Sequence, residues 1–96
     1  MSNVSSVLPT PVTGGRSYLN VTASALAKTG DGELVGYFVA STSAGTVKLW
    51  DNTSAATTVL VNTFSPSPGW NPAPFHFKTG LYITIGGTID LTLSFT

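Results

Sequence analysis

The feature that most constrains the fold is an alternation of apolar and non-apolar residues through positions 80–96. This period of two is the pattern of a β-strand with one face buried and the other exposed. A chain with this as its strongest pattern is expected to fold around a β-sheet. The apolar residues of the pattern are Leu81, Ile83 and Ile85, then Ile89, Leu91, Leu93 and Phe95.

A Gly86-Gly87 pair separates the two alternating stretches and predicts a hairpin between them. A two-residue turn would put the two apolar sets on opposite faces of the sheet. A three-residue loop at 85–87 instead pairs Ile83 with Ile89 and puts Gly87 at a left-handed bulge position. We therefore predict a bulged hairpin.

Further alternating segments, separated by turn-forming clusters, precede this pair. Segment 33–42 is apolar on both faces, which is typical of a strand covered on one side by the core and on the other by a second layer or another subunit. We therefore expect Val35, Tyr37 and Val39 to lie at a subunit interface. The fold class predicted is all-β, a small β-sandwich or jelly-roll-like domain of six to seven short, mostly antiparallel strands.

Residues 1–15 carry two prolines and end in Gly14-Gly15, so we expect an extended N-terminal arm ahead of a sandwich domain at 16–96. The apolar residues of the arm follow no period and are expected to dock onto a partner. They are Val4, Val7, Leu8 and Val12. No secretory signal and no membrane-spanning run is recognised, so synthesis in the cytoplasm without membrane contact is expected.

Charged residues make up only 8% of the chain, against about 25% in typical globular proteins, and the net charge is zero. Without a basic patch to follow phosphates, nucleic-acid binding is not expected. There is no cysteine, which excludes a disulfide framework. A Thr-rich and charge-poor surface suits a β-sheet that packs against other protein.

No catalytic or metal-binding motif is apparent. His76 is the only histidine and has no recognisable nucleophile motif near it, so we expect a surface or interface role and no enzyme activity. The oxygen-rich turns at 31–33 and 51–53 lack the spacing of a calcium loop, so no metal or cofactor is expected.

The proline-rich segment 65–74 predicts a rigid loop that presents Trp70. A tryptophan in such a loop is expected to pack against the sandwich or a partner. The alternative is a glycan-binding module, in which Trp70 stacks on a sugar and Asn71 hydrogen-bonds to it.

Two stretches resemble a known family. Positions 45–54 read GTVKLWDNTS, and positions 78–88 read KTGLYITIGGT. Within a similarity that covers roughly 34–96, they resemble small virion structural proteins of tailed bacteriophages, above all capsid decoration (cement) proteins. The resemblance implies a β-sandwich subunit, often trimeric, that bridges neighbouring capsomers of the major capsid protein on the outer capsid surface. Composition makes the N-terminal arm our first candidate for the capsid contact and Trp70 the second.

Overall fold

The structure, a computed structural model, describes residues 16–96, which form six antiparallel strands and no helix. The arm predicted at 1–15, with Val4, Val7, Leu8 and Val12, lies outside the described residues. The strands are β1 (Ser17–Val21), β2 (Ala25–Thr29), β3 (Gly32–Trp50), β4 (Val59–Phe64), β5 (Gly69–Phe77) and β6 (Gly80–Phe95).

Two strands are much longer than the sequence predicted. β3 has 19 residues and β6 has 16, and the two pair along almost their whole length. β1 and β2 both flank β6, whereas β4 and β5 both flank β3. The long β3–β6 ribbon therefore carries one pair of short strands along each edge.

The ribbon folds back on itself, because both ends of β6 lie beside the start of β3. Just before β6, the Thr79 carbonyl accepts a 2.8 Å hydrogen bond from the Gly30 N–H. Just after β6, the Thr96 N–H donates a 2.8 Å hydrogen bond to the Glu33 carbonyl. The stretches at 41–46 and 84–90, which carry no flanking strand, make the bend.

Folding back creates two four-stranded layers, and an all-β sandwich is confirmed. Layer I consists of β1, the C-terminal half of β6, the N-terminal half of β3, and β5. Layer II consists of β2, the N-terminal half of β6, the C-terminal half of β3, and β4.

Side chains from both layers form one core. Tyr37 of layer I meets Phe64 of layer II with ring centroids 5.8 Å apart. Burial of this apolar surface is the main stabilising contribution to a domain of this size. The buried members are Val21, Leu34, Val39, Val47, Leu49, Ala73, Phe77, Leu81, Ile83, Ile89, Leu91, Leu93 and Phe95.

The hairpin predicted at 85–87 is wrong. Residues 80–95 form one strand, and Ile83 pairs with Leu49 and Ile89 with Thr42, both in β3. Every buried side chain in the apolar pattern of β6 has an odd number, so one uninterrupted strand already places them all on the core face. The prediction of a positive φ at Gly87 is correct, since its φ is 72°.

β3 uses three more residues than β6 over the length along which the two strands pair, and it accommodates the extra residues as bulges. The β3–β6 ladder shifts at Leu34/Gly36, Val39/Ser41 and Ser43/Thr46, each time with one more residue in β3 than in β6. After each extra residue, the side chains that face the core switch between even-numbered and odd-numbered positions. This is the physical reason that 33–42 reads as apolar on both faces.

Of the three residues expected at a subunit interface, Val35, Tyr37 and Val39, the structure excludes Val39. Val39 is only 1% exposed and belongs to the core of its own chain. Tyr37 is half-buried and packs against the same core, and burial raises the pKa of its hydroxyl. Val35 is half-buried beside the first bulge. Val39 therefore offers no surface to a second copy.

The proline-rich loop predicted at 65–74 is also partly wrong, because Gly69–Phe77 forms β5. Pro72 and Pro74 are tolerated there because β5 is an edge strand that pairs with β3 alone. A strand edge that carries prolines is poorly suited to pairing with another chain.

Candidate binding faces

The outer face of layer I carries an exposed aromatic pair. Trp70 of β5 is the cross-strand partner of Phe38 in β3, and the two side chains are 52% and 49% exposed. Phe38 is in register with Thr92 of β6, which is in register with Asn20 of β1. We call Trp70, Phe38, Thr92 and Asn20 the layer I row.

Trp70 is positioned by a glycine. A Cβ placed on Gly36 would stand 2.6 Å from Cη2 and 2.7 Å from Cζ2 of Trp70, so the indole occupies the space that a side chain would need. Covered in this way, Gly36 is buried. The packing of an aromatic ring over a strand glycine holds the indole close to the sheet.

The polar end of the layer I row is fixed by hydrogen bonds. The side-chain amide of Asn20 donates to Asp90 Oδ1 at 2.8 Å, to Thr92 Oγ1 at 3.2 Å and to the Leu91 carbonyl at 3.2 Å. Tyr18, 77% exposed, belongs to the neighbouring row, where it is in register with Ser94. The face therefore combines aromatic rings with hydroxyl, amide and carboxylate groups.

The outer face of layer II carries a second row that spans all four strands. Leu26 is in register with Tyr82, Tyr82 with Trp50, and Trp50 with Val59. The outer two, Leu26 and Val59, are 41% and 42% exposed, and the two aromatic residues between them are half-buried. We call these four residues the layer II row.

Trp50 is held in one orientation by two contacts. Its Nε1–H donates to Thr84 Oγ1 at 2.9 Å, and Lys48 Nζ lies 4.3 Å from the ring centroid. A cation over an indole face is attracted by the ring quadrupole. The layer II row is therefore a preorganised apolar band with a positive charge beside it.

The residues predicted to bind a glycan are not brought together as expected. Trp70 is exposed, but its neighbour Asn71 follows it on the strand and therefore points to the other side of the sheet. The Asn71 amide donates to the Ser67 and Gly69 carbonyls at 2.9 and 3.0 Å. Phe38, Asn20 and Asp90 were not predicted, because they join this face only through cross-strand register.

At the open end of the sandwich, where the strand termini meet, Asp51 connects the end of β3 to the backbone at 78–80. Its Oδ1 accepts backbone N–H bonds from Thr79 at 2.8 Å and Lys78 at 3.0 Å, with Gly80 at 3.4 Å. Burial alone would raise the pKa of Asp51. These backbone hydrogen bonds and the charge of His76 outweigh burial and lower that pKa.

His76 lies at the same end, on the layer I side. Its Nε2 is 2.6 Å from Asp31 Oδ1, and both side chains are more than half exposed. With Gly32, Glu33 and Thr96 they line a shallow open cleft of about 460 Å³. The exposure of His76 matches the surface position expected for it.

Within residues 16–96, no group of three or more His, Cys, Asp or Glu side chains is placed to hold a metal ion. In the same part of the chain, no helix has the length and apolarity needed to cross a membrane. Comparisons of the chain with protein-family models, curated proteins and solved structures found no match.

Proposed function

We propose that this chain is a structural virion protein that decorates a bacteriophage capsid, bridges neighbouring capsomers and stabilises the shell from its outer surface. The observation that carries the proposal is the layer II row, an apolar band across a complete sheet layer. Together with the resemblance in 45–54 and 78–88, which includes Trp50 and Tyr82, this row favours a protein-docking role. The partner is the major capsid protein.

The layer II row has the composition of a binding hot spot. Tryptophan and tyrosine are among the residues that contribute most to protein–protein affinity when they become fully buried. Because Trp50 is already held by Thr84 and Lys48, docking would freeze few side-chain rotamers and cost little conformational entropy. Lys48 favours a partner surface that is apolar with an acidic group at its margin.

Bridging requires more than one contact per particle, and a trimer would provide three. The interface cannot include Val39, which is buried within its own chain. Light scattering on a size-exclusion column tests the assembly, with the mass of a trimer of the 9.9-kDa chain expected. The mass of a single chain at all concentrations would restrict trimers to the capsid surface.

The docking experiment uses phage heads that lack this chain, prepared by deleting its gene from the phage that encodes it. Purified protein is mixed with the heads and co-sedimented, and saturable binding at a fixed number of copies per head is expected. Absence of co-sedimentation at micromolar protein would overturn the proposal.

Matched variants test the face. Leu26→Ser and Val59→Ser remove partly exposed apolar side chains from the layer II row and are expected to weaken head binding at least tenfold. Phe38→Ser, at a similarly exposed site on layer I, is the control and is expected to bind as the parent does. Loss of binding only in Phe38→Ser and Trp70→Ser would instead place the contact on layer I, where Trp70 was predicted to act.

A further inference from the structure

The layer I row differs from the layer II row in what surrounds its aromatic side chains. Phe38 and Trp70 are followed along the row by Thr92 and Asn20, and the next row adds Ser94 and Tyr18. In protein–protein hot spots, the central aromatic residue is sealed from water by surrounding contacts. Here the rings stand beside hydroxyl and amide groups, a surface that suits a ligand with both C–H and O–H groups.

The polar groups of this face are fixed and retain acceptor capacity. The Asn20 amide hydrogens are committed to Asp90, Thr92 and the Leu91 carbonyl. Among residues 16–96, no hydrogen bond is made to Asn20 Oδ1 or Asp90 Oδ2 by another side chain. An amide oxygen and a carboxylate oxygen, held in place by one hydrogen-bond network, can accept hydrogen bonds from adjacent hydroxyl groups of one ligand.

The charge on this face selects against anionic ligands. The layer I row contains no lysine or arginine, and the charged side chain beside its polar end is the carboxylate of Asp90. Arg16 precedes β1 on the far side of Tyr18, four residues from Asn20. On the layer I row, a phosphate, a sulfate or a carboxylated sugar would lack a cationic partner and would be repelled by Asp90. The ligand class that fits is therefore neutral.

We propose that the outer face of layer I binds a neutral oligosaccharide, with a sugar ring stacked on Trp70 and Phe38 and its hydroxyl groups hydrogen-bonded to Asn20 and Asp90. The apolar C–H face of a pyranose covers an exposed aromatic ring, and its hydroxyl rim needs fixed acceptors. From Trp70 to Tyr18 the face crosses three strand spacings, about 14 Å, which leaves room for a short oligosaccharide. This site is independent of capsid docking, because the two rows lie on opposite faces.

The test begins with an array of neutral and sialylated oligosaccharides, probed with the purified full chain. The neutral glycan with the strongest signal is then titrated against Trp50→Phe protein, so that Trp70 is the one remaining tryptophan and is excited selectively at its long-wavelength edge. Saturable binding with a change in Trp70 emission is expected. An array without neutral binders, or a preference for sialylated glycans, would overturn the proposal.

Variants separate stacking from general hydrophobic contact. Trp70→Phe keeps an aromatic face and is expected to retain most of the affinity, whereas Trp70→Leu is expected to lose at least tenfold. Asn20→Ala is expected to lose a similar factor while leaving the rings in place. Binding is measured by calorimetry, and melting curves confirm that each variant is folded.

Two outcomes of the variant series contradict the site. Equal affinity of Trp70→Phe and Trp70→Leu would show that aromatic stacking is not used. Unchanged affinity in Asn20→Ala would show that Asn20 does not hydrogen-bond to the glycan. The docking variant Leu26→Ser, on the opposite face, is expected to bind the glycan as the parent does, so failure of head binding and failure of glycan binding are distinguishable.

Discussion

Gly87 lies directly against Ala44 across the bend of the β3–β6 ribbon. A Cβ built on Gly87 would clash with the Ala44 carbonyl oxygen. Both residues have positive φ, 72° at Gly87 and 54° at Ala44. The two paired strands therefore both adopt the left-handed backbone conformation at this point of the bend. This close pair lies where the sandwich turns from one layer into the other.

Gly87→Ala is expected to destabilise the protein by roughly 2–4 kcal/mol, because the new methyl group adds a backbone clash to the left-handed strain. Urea unfolding at neutral pH measures the effect. Gly30→Ala is the matched control: its φ is 94° but a Cβ there meets nothing within 4 Å. That control is expected to lose only about 1–2 kcal/mol. Equal losses in the two variants would contradict the close contact with Ala44.

Truncation of the neighbouring residues Phe38 and Val39 is expected to reduce the free energy of unfolding by different amounts. Val39→Ala leaves a cavity in the core and should cost roughly 2 kcal/mol without changing the oligomeric state. Phe38→Ala removes a half-exposed ring and should cost less than about 1 kcal/mol. Thermal melts with light scattering measure both effects. If Val39→Ala dissociated an oligomer while leaving the stability of each chain intact, Val39 would lie at an interface after all.

Gly36→Ala is expected to displace Trp70 from the sheet. The added Cβ would stand 2.6 Å from the indole and 2.6 Å from the Asn71 carbonyl oxygen, so a loss of roughly 1–3 kcal/mol accompanies the movement. In a Trp50→Phe background, the emission of Trp70 should shift to longer wavelength as the indole becomes more hydrated. In the control, Gly86→Ala, the only contact closer than 3.4 Å is to the hydroxyl of Thr46, which can rotate away. A similar spectral shift there would contradict the role of Gly36.

Asp51 should make stability depend on pH. Since folding lowers its pKa, the carboxylate contributes stability above its unfolded pKa, about 3.9, and loses that contribution as pH falls through the folded pKa. Asp51→Asn should cost roughly 1 kcal/mol at neutral pH, because the site is largely exposed to solvent. Urea unfolding of both proteins between pH 7 and pH 2 should show this difference shrinking below about pH 4.

The control for Asp51→Asn is Asp31→Asn, which also removes one negative charge from the open end of the sandwich but accepts no backbone hydrogen bond there. Its stability difference at neutral pH should be smaller. A difference for Asp51→Asn that persists unchanged at pH 2 would mean that the carboxylate charge is not what fastens this end.

The sequence was most informative where the pattern is local. The alternation in β6 correctly predicted extended β-structure and its buried face, and the preference for glycine at 87 was recognised for the right reason, a positive φ. The error was to treat Gly86-Gly87 as the end of a strand, although a glycine in a strand also marks a bulge or a close approach of another backbone. In β3 a different feature was missed: the bulges that shift its register gave 33–42 an apparent second apolar face.

The candidate sites were less predictable. Trp70 was singled out from the sequence, but Phe38 and Asn20 join its row from strands 32 and 50 positions earlier in the chain. Residue spacing carries no information about such neighbours, because cross-strand register depends on every bulge between them. The layer II row was missed for the same reason, although Trp50 and Tyr82 both belong to stretches that the sequence analysis had singled out.

The sequence alone determined that this chain forms antiparallel β-strands, since alternation, turn residues and scarce charge are properties of short windows. The tertiary structure decided that two long strands would fold back together, that three extra residues of β3 would be absorbed as bulges, and which side chains would share each outer face. These are nonlocal outcomes. They follow from the requirement that one uninterrupted apolar face of β6 be covered on both sides of the bend, which no single segment can meet by itself.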